Sequence, residues 1–240
     1  MGPPQGASAE ALSKVQEPIL RQAAGPEART EAPDTLTGDG RTRPTEIVRR
    51  GYGALAVKYH AQRDLRVHRR ELDALVQSLP KGGKVLDAGC GSGKVAAHLL
   101  RRGLAVTGID ISKAMLSLAA TVAPAARLTV MDMRRLRFPA ASFDGVIALY
   151  SVIHVPRRDH LLILRGFRRV LRPRGSLLIV MGREDIAADR DKFLGTPMYW
   201  SHFGEDRNLE LLAEAGFVLR WSRIVGPPGD RHLWALASAP

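Results

Sequence analysis

The stretch Val85-Leu86-Asp87-Ala88-Gly89-Cys90-Gly91-Ser92-Gly93-Lys94 decides how the whole chain is read. A short apolar strand runs into glycines at every second position, and a helical pattern starts at Lys94. Glycine lets the chain turn sharply there and lets a ligand lie against the backbone. The helix start behind it offers unpaired N–H groups. Three nucleotide-loop readings compete. A dinucleotide G-x-G-x-x-G would need glycine at position 94, where Lys94 stands. A phosphate loop G-x-x-x-x-G-K-[ST] would need glycine at 88 and Ser or Thr at 95, but Ala88 and Val95 are found. What remains is D-x-G-x-G-x-G closing a strand.

Outward from this loop, strand and helix signals alternate. Helical spacing covers Thr45–Tyr59 and Arg66–Leu79, the second stretch stopped by Pro80 and Gly82-Gly83. After the glycine loop come a helix over Lys94–Arg102, a strand over Leu104–Asp110 and a helix over Ser112–Val122 capped by Ser112. Strands follow over Arg127–Met131 and Phe143–Leu149, then a helix over Arg157–Leu171 and a strand over Ser176–Met181. A last helix over Glu205–Ala215 precedes strands Phe217–Ile224 and His232–Ser238, joined by Gly226-Pro227-Pro228-Gly229. Alternation of this kind predicts an α/β fold with a parallel sheet covered on both faces. The last two strands have only a loop between them, too short for a parallel crossover, so they are expected as an antiparallel C-terminal edge hairpin.

The glycine loop and its spacing to later residues resemble the class I S-adenosylmethionine-dependent methyltransferases, in particular small bacterial-type members with small-molecule acceptors. Asp110 ends the second strand, 17 positions beyond Gly93, and Asp132-Met133 ends the third. Phe143–Leu149 looks like the fourth-strand motif. Leu171-Arg172-Pro173-Arg174-Gly175 resembles the turn before the fifth strand, with Arg174 in place of the usual first glycine. Tyr52–Tyr59 resembles the family's Y-D-x-x-A-x-x-Y helix, with Gly53 where Asp is common. The likeness covers residues 48–240. It implies a Rossmann-like, doubly wound, mostly parallel seven-stranded sheet with S-adenosylmethionine as cofactor.

The same resemblance implies the site. Asp87, Gly89 and Gly91 would hold the methionine end, with Tyr59 closing over it. Asp110 would take the ribose hydroxyls and Ile111 would pack on adenine. Asp132 and Met133 would read the adenine edge, and Leu149 completes the cofactor set. Acceptors are expected beyond the carboxyl ends of the strands. Tyr150 and His154 follow the fourth strand, and His154 is the candidate base because its ordinary pKa lies near neutrality. The alternative is a histidine bonded to backbone. Tyr199, Trp200 and His202 follow the fifth strand as a lid or acceptor wall, or as ordinary packing of an insertion. Cys90 reads as a small residue in a tight loop, and no metal site is expected.

Composition narrows the function classes. The 240 residues are 45% hydrophobic and 25% charged, as in ordinary globular proteins. No apolar run is long enough to span a membrane. No secretory signal is visible, and the single cysteine excludes an internal disulfide, so a cytoplasmic setting is expected. Residues 1–43 carry five basic and six acidic side chains and few aliphatics, and are expected to form a flexible tail before a methyltransferase domain at 44–240. The net charge of +12 comes from the rest, with 29 arginines in the whole chain. That basic surface leaves an RNA acceptor as the alternative to a small molecule. No N/D-P-P-[FYW] sequence follows the fourth strand, where Leu149-Tyr150-Ser151-Val152 is found, which argues against base amino groups. A non-catalytic S-adenosylmethionine-binding protein is the third possibility.

Overall fold

Seven strands form one sheet, in the spatial order Arg127–Val130, Ala105–Asp110, Lys84–Ala88, Phe143–Ala148, Leu171–Met181, His232–Ser238 and Val218–Val225. The computed structural model describes residues 43–227 and 231–240, which fall in one compact unit. The expected tail thus lies outside the described residues, as does the tip of the last turn at 228–230. The strands are β1 (Lys84–Ala88), β2 (Ala105–Asp110), β3 (Arg127–Val130), β4 (Phe143–Ala148) and β5 (Leu171–Met181), followed by β8 (Val218–Val225) and β9 (His232–Ser238). β1 to β5 pair in parallel, and β9 runs antiparallel to both β5 and β8. The expected doubly wound sheet and C-terminal hairpin are both present. Val85 and Leu86 alternate into the two apolar layers of the sheet, and both are fully buried.

The helices are α1 (Pro44–Gln62), α2 (Arg69–Gln77), α3 (Lys94–Arg101), α4 (Lys113–Val122), α5 (His160–Val170) and α6 (Glu205–Glu214). Pro44 opens α1, where its fixed φ suits a helix start and its missing N–H costs nothing. Ser112 caps α4 by accepting from the Met115 N–H at 3.3 Å. Leu72 and Leu75 of α2 are buried against the layer that holds Val85, Leu99 and Trp234, whereas Ile163, Leu164 and Phe167 of α5 fill the opposite one.

Two elements depart from the sequence reading. Leu171 leaves the helix and opens β5 by pairing with Phe143, and a register shift follows before Gly145 meets Ser176. Pro173 explains the early stop, because a helix cannot continue past it. Between β5 and α6 stands a second, two-stranded sheet of β6 (Ile186–Phe193) and β7 (Thr196–His202). Apart from its two ends, β6 is exposed and polar, so it lacks the alternation that marks a strand. Its conformation comes from pairing with β7, whose Met198 and Tyr199 pack on Val48 and Leu55 of α1.

Candidate functional site

The glycine loop lies at the carboxyl ends of the central strands, at the switch point where the chain passes from the β1–β3 side of the sheet to β4. The Gly89 and Cys90 N–H groups both donate to the Ile109 carbonyl, at 2.8 and 3.0 Å, fastening the loop to β2. Gly89 has φ +80°, and a Cβ there would stand 2.3 Å from the Ser151 Cβ. Only glycine lets the β4 loop close this far onto it. Gly93 serves packing, since a Cβ there would stand 2.8 Å from Ala119 of α4. Gly91 donates its N–H to Asp110 Oδ2 at 2.9 Å, and Asp110 Oδ1 accepts from the Ser112 N–H at 2.8 Å. Asp110 therefore ties the loop to the start of α4 while it faces the cavity. Burial pushes its carboxyl up, partly offset by these N–H bonds.

One cavity brings together Tyr59, Gly89, Gly91, Asp110, Ile111, Asp132, Met133 and Leu149. Asp87 lies in an adjoining cleft shared with Gly89, Gly91, Leu149 and Arg63. Asp87 is buried, and its Oδ2 has no hydrogen-bond partner among the described residues. Burial, with the charge of Asp110 beside it, raises its pKa to about 7 against the opposing pull of Arg63. An orphaned buried carboxylate oxygen beside an arginine suits a ligand end that carries both an ammonium and a carboxylate. Asp132 is held differently. Burial alone would raise its pKa, but Arg134 bonds both its oxygens and holds it below the usual range. Cys90 is buried, and burial with the nearby Asp87 and Asp110 pushes its thiol far up, which leaves it inert.

A second cavity of about 670 Å³ shares Tyr52, Tyr59, Tyr150 and His154 with the first and is otherwise bounded by Arg63, His68, Phe193, Trp200 and His232 among others. Its volume lies within the range of small-molecule sites. Tyr150 and Trp200 line it as expected residues of the acceptor side. Tyr150 has φ +57°, a costly conformation for a side chain of this size, at the turn that ends β4. The Arg63 guanidinium lies 4.4 Å from the centre of its ring, and its hydroxyl is 3.2 Å from His68 Nε2.

Three expected placements are corrected. Tyr199 lies outside both cavities, in the apolar cluster between β7 and α1, and contributes only its backbone carbonyl. The alternation of β7 turns Trp200 to the cavity and its neighbour away. His202 faces a polar cleft that adjoins the second cavity at Trp200 and His232 rather than the second cavity itself, and its Nδ1 donates to the Glu184 carbonyl at 2.7 Å. His154 borders both cavities but is not an open base. Its Nδ1 is 2.7 Å from the Tyr199 carbonyl and its Nε2 is 2.8 Å from the Tyr52 hydroxyl. Burial lowers its pKa to about 4.

Sequence reasoning passed over Arg63, Arg134 and the hydroxyl of Tyr52. Arg134 bridges Asp132 and Asp159 and donates to Thr45 Oγ1 at 2.8 Å, pinning the start of α1 over the cavity. Lys94 Nζ donates to the His60 carbonyl at 2.6 Å and to the Arg63 carbonyl, closing the far end of the same helix. A lysine on the last carbonyls of a helix also complements its dipole. The residue that spoils the dinucleotide motif thus fastens the helix that covers the site. No helix among the described residues is long and apolar enough to cross a membrane.

Residues 85–175 match the family described as a methyltransferase domain. The chain is 35% identical over 162 residues to the S-adenosyl-L-methionine-dependent Diels-Alderase iccD of Talaromyces variabilis, covering 59% of this chain and 55% of that protein. It is 33% identical over 171 residues to the O-methyltransferase resE of Aspergillus sclerotiorum, covering 65% and 62%. The chain thus spans little more than half the length of these two relatives. Among solved structures, the 1,6-didemethyltoxoflavin-N1-methyltransferase of Burkholderia thailandensis superposes with a TM-score of 0.63 at 26% identity, over 88% of this chain and 94% of that one. That structure holds 1,6-didemethyltoxoflavin and S-adenosylhomocysteine.

Proposed function

Because the chain carries a class I S-adenosylmethionine-dependent methyltransferase domain, we propose that it transfers a methyl group to a small-molecule acceptor by in-line displacement. The observation that carries this reading is the wall of four side chains, Tyr52, Tyr59, Tyr150 and His154, common to the two cavities. A cofactor in the first and an acceptor in the second would meet across it. S-adenosylmethionine supplies a methyl on a sulfonium, already activated for displacement, so the protein's task is to bind, align and exclude water.

In this reading Asp87 receives the ammonium of the methionine end and Arg63 its carboxylate, while Gly91 opens the backbone beside them. Asp110 takes the ribose hydroxyls, and Ile111, Met133 and Leu149 enclose the adenine. Asp132 receives the adenine amino group on a carboxylate that Arg134 keeps ionised. Tyr59, half-buried beside the loop, shields the reacting end from solvent. His154 does not meet the acceptor directly but stands behind Tyr52.

The basic surface gives RNA less support than the charge count suggests. Of the seven arginines between 157 and 174, Arg157 pairs with Asp185 and Arg172 with Asp144. Arg168 and Arg169 donate to the carbonyls of Pro240, Leu136 and Phe138. These side chains hold the fold together.

The test follows the methyl itself, since one relative is a Diels-Alderase. Calorimetry should show S-adenosylmethionine binding far more tightly than NAD or ATP. Labelled methyl should appear in a small-molecule acceptor, at a rate that changes little between 50 and 200 mM salt. An RNA acceptor held by six or more phosphate contacts would lose roughly a thousandfold in affinity over that interval. Silent S-adenosylmethionine beside tight NAD or ATP would overturn the reading.

A further inference from the structure

Building on the methyltransferase reading, we propose that the second cavity admits a flat aromatic acceptor bearing a hydroxyl, and that Tyr52 takes the proton of that hydroxyl while passing its own to His154. The shape of the cavity supports the first part. Tyr52 and Tyr59 meet edge to face at 80°, Phe193 and Trp200 at 82°, and Phe193 also meets both tyrosines, so one cluster of rings presents faces and edges to whatever enters. Such walls favour another ring, stacked or edge-on, over a flexible chain. The charges support the hydroxyl. Asp64 is the only acidic residue lining the cavity among the described residues, and it lies at the surface, bonded to Arg66. Nothing acidic lining the cavity is left to receive an amine, so a neutral hydroxyl fits it better.

The hydrogen bonds support the proton path. A backbone carbonyl can only accept, so His154 Nδ1 carries the hydrogen in the 2.7 Å contact with Tyr199. Nε2 of the neutral ring is then an acceptor, and the Tyr52 hydroxyl must donate to it at 2.8 Å. With its hydrogen committed, Tyr52 Oη has only lone pairs to offer, and Tyr52 lines both cavities. An acceptor hydroxyl meets that need by donating. As it reacts, its O–H bond breaks and the proton joins Tyr52 Oη while the former Tyr52 proton joins His154 Nε2. The freed pair on the acceptor oxygen forms the bond to the methyl carbon, and the pair of the bond that carbon leaves stays on sulfur. The site holds one positive charge before the step and one after it. Tyr52 is faced by Tyr59 and Arg63 and by Asp110 from β2. His154 is faced by His202 from β7, His232 from β9 and the Trp200 ring. Burial keeps His154 neutral at rest, so the pair is ready to accept at neutral pH.

The experiment uses the full chain, labelled S-adenosylmethionine and substituted phenols, with anilines of matched shape as controls. Phenols should be methylated and anilines not. Below neutral pH the parent's rate on a weakly acidic phenol should stay nearly flat, because the proton leaves through Tyr52. Tyr52→Phe and His154→Gln should each slow that phenol about 100-fold or more, the scale of a lost general base. Both should slow 4-nitrophenol far less above neutral pH, where it arrives ionised. Equal losses on ionised and un-ionised phenols, methylated anilines, or a parent rate that tracks phenol ionisation tenfold per pH unit would each overturn the proposal, and the last needs no variant to fold. Failure of S-adenosylmethionine to bind in calorimetry would instead overturn the methyltransferase reading on which it rests.

Discussion

The two cavities share a wall but are assembled by contacts of different range. Around the first, Ser112 bonds Asp110 across two positions, Arg134 bonds Asp132 across two, and Gly91 bonds Asp110 across 19. Around the second, His154 reaches Tyr199 across 45 positions, Tyr150 reaches His68 across 82, and Tyr52 reaches His154 across 102. The floor of the first is made by short turns at strand ends, where backbone conformation restricts residue type, and only its cover, α1, is fastened at long range, by Arg134 to Thr45 across 89 positions. The second is made by side chains that an added hairpin, a covering helix and the last strands bring together, where many residue types would fold equally well.

The largest expected effect breaks the first region. Gly89→Ala puts a Cβ into the β4 loop at a left-handed φ. Overpacking of this kind costs roughly 1–3 kcal/mol, and the conformation roughly 1–2 kcal/mol more. Urea unfolding should show a midpoint lowered accordingly, and cofactor binding should vanish in calorimetry. An unfolding curve matching the parent would mean that the loop is looser than the glycine pattern implies, and the contrast between the two regions would fall.

What could be read ahead of the structure follows this division. Gly89 and Gly91 each occupy a left-handed conformation, so the motif recorded backbone geometry directly. Asp110 ends its strand and Asp132 lies two residues past the end of its own, where the resemblance to the family placed them. The hairpin went unread because β6, Ala187-Ala188-Asp189-Arg190-Asp191-Lys192 in its middle, is solvent-facing and carries no apolar alternation. Tyr199 and Trp200 were read together as neighbours in an aromatic run, yet strand geometry turns them to opposite sides. His154 was legible as a histidine near the site but not as one with both nitrogens taken, because its partners lie on α1 and β7. Arg63 gave no signal, being one arginine among 29.

A second test sharpens the comparison through pH. Asp87 has its pKa raised to about 7 from an ordinary 3.8, so the stability it contributes is present below about 4 and lost as pH rises through 7. Asp110, also raised, acts in the same direction. His154 and His160, lowered to about 4 by burial, act oppositely: their contribution is present above 6.5 and lost as pH falls through 4. The ligand-free protein should therefore be most stable near neutral pH. Asp87→Asn should stabilise the ligand-free protein above pH 7, by up to about 4 kcal/mol in the limit of the full shift, seen as a higher melting temperature there, while weakening S-adenosylmethionine binding. Unchanged stability at alkaline pH would show that the carboxylate is solvated after all.

Trp200→Ala probes the second region by itself. The ring lines the second cavity and meets His154 and Phe193 but does not border the first cavity. Loss of one aromatic wall should raise the acceptor KM about tenfold, in line with roughly 0.5–1.5 kcal/mol for an aromatic pair, and leave the calorimetric affinity for S-adenosylmethionine within twofold of the parent. Equal losses in both would mean that the regions act as one site.

The smallest expected effect concerns a residue outside both cavities. Arg174 stands where the resembled family has its usual glycine, and its φ is +65°. Its N–H donates to the Ala239 carbonyl at 2.7 Å, so the turn before the main run of β5 is fastened in that conformation. A side chain there carries a strain of roughly 1–2 kcal/mol, partly offset because glycine has more freedom to lose from the unfolded chain, about 0.4–1 kcal/mol. Arg174→Gly should then stabilise the protein by about 1 kcal/mol or less in urea unfolding, with kcat and KM unchanged, because the turn lies at the opposite end of the sheet from the strand termini that carry the site. A destabilised variant would show that the Arg174 side chain makes a contribution larger than its strain. Stabilisation would confirm that even a mild departure from the glycine pattern is a backbone cost, as it is at Gly89, but at a place where no ligand depends on it.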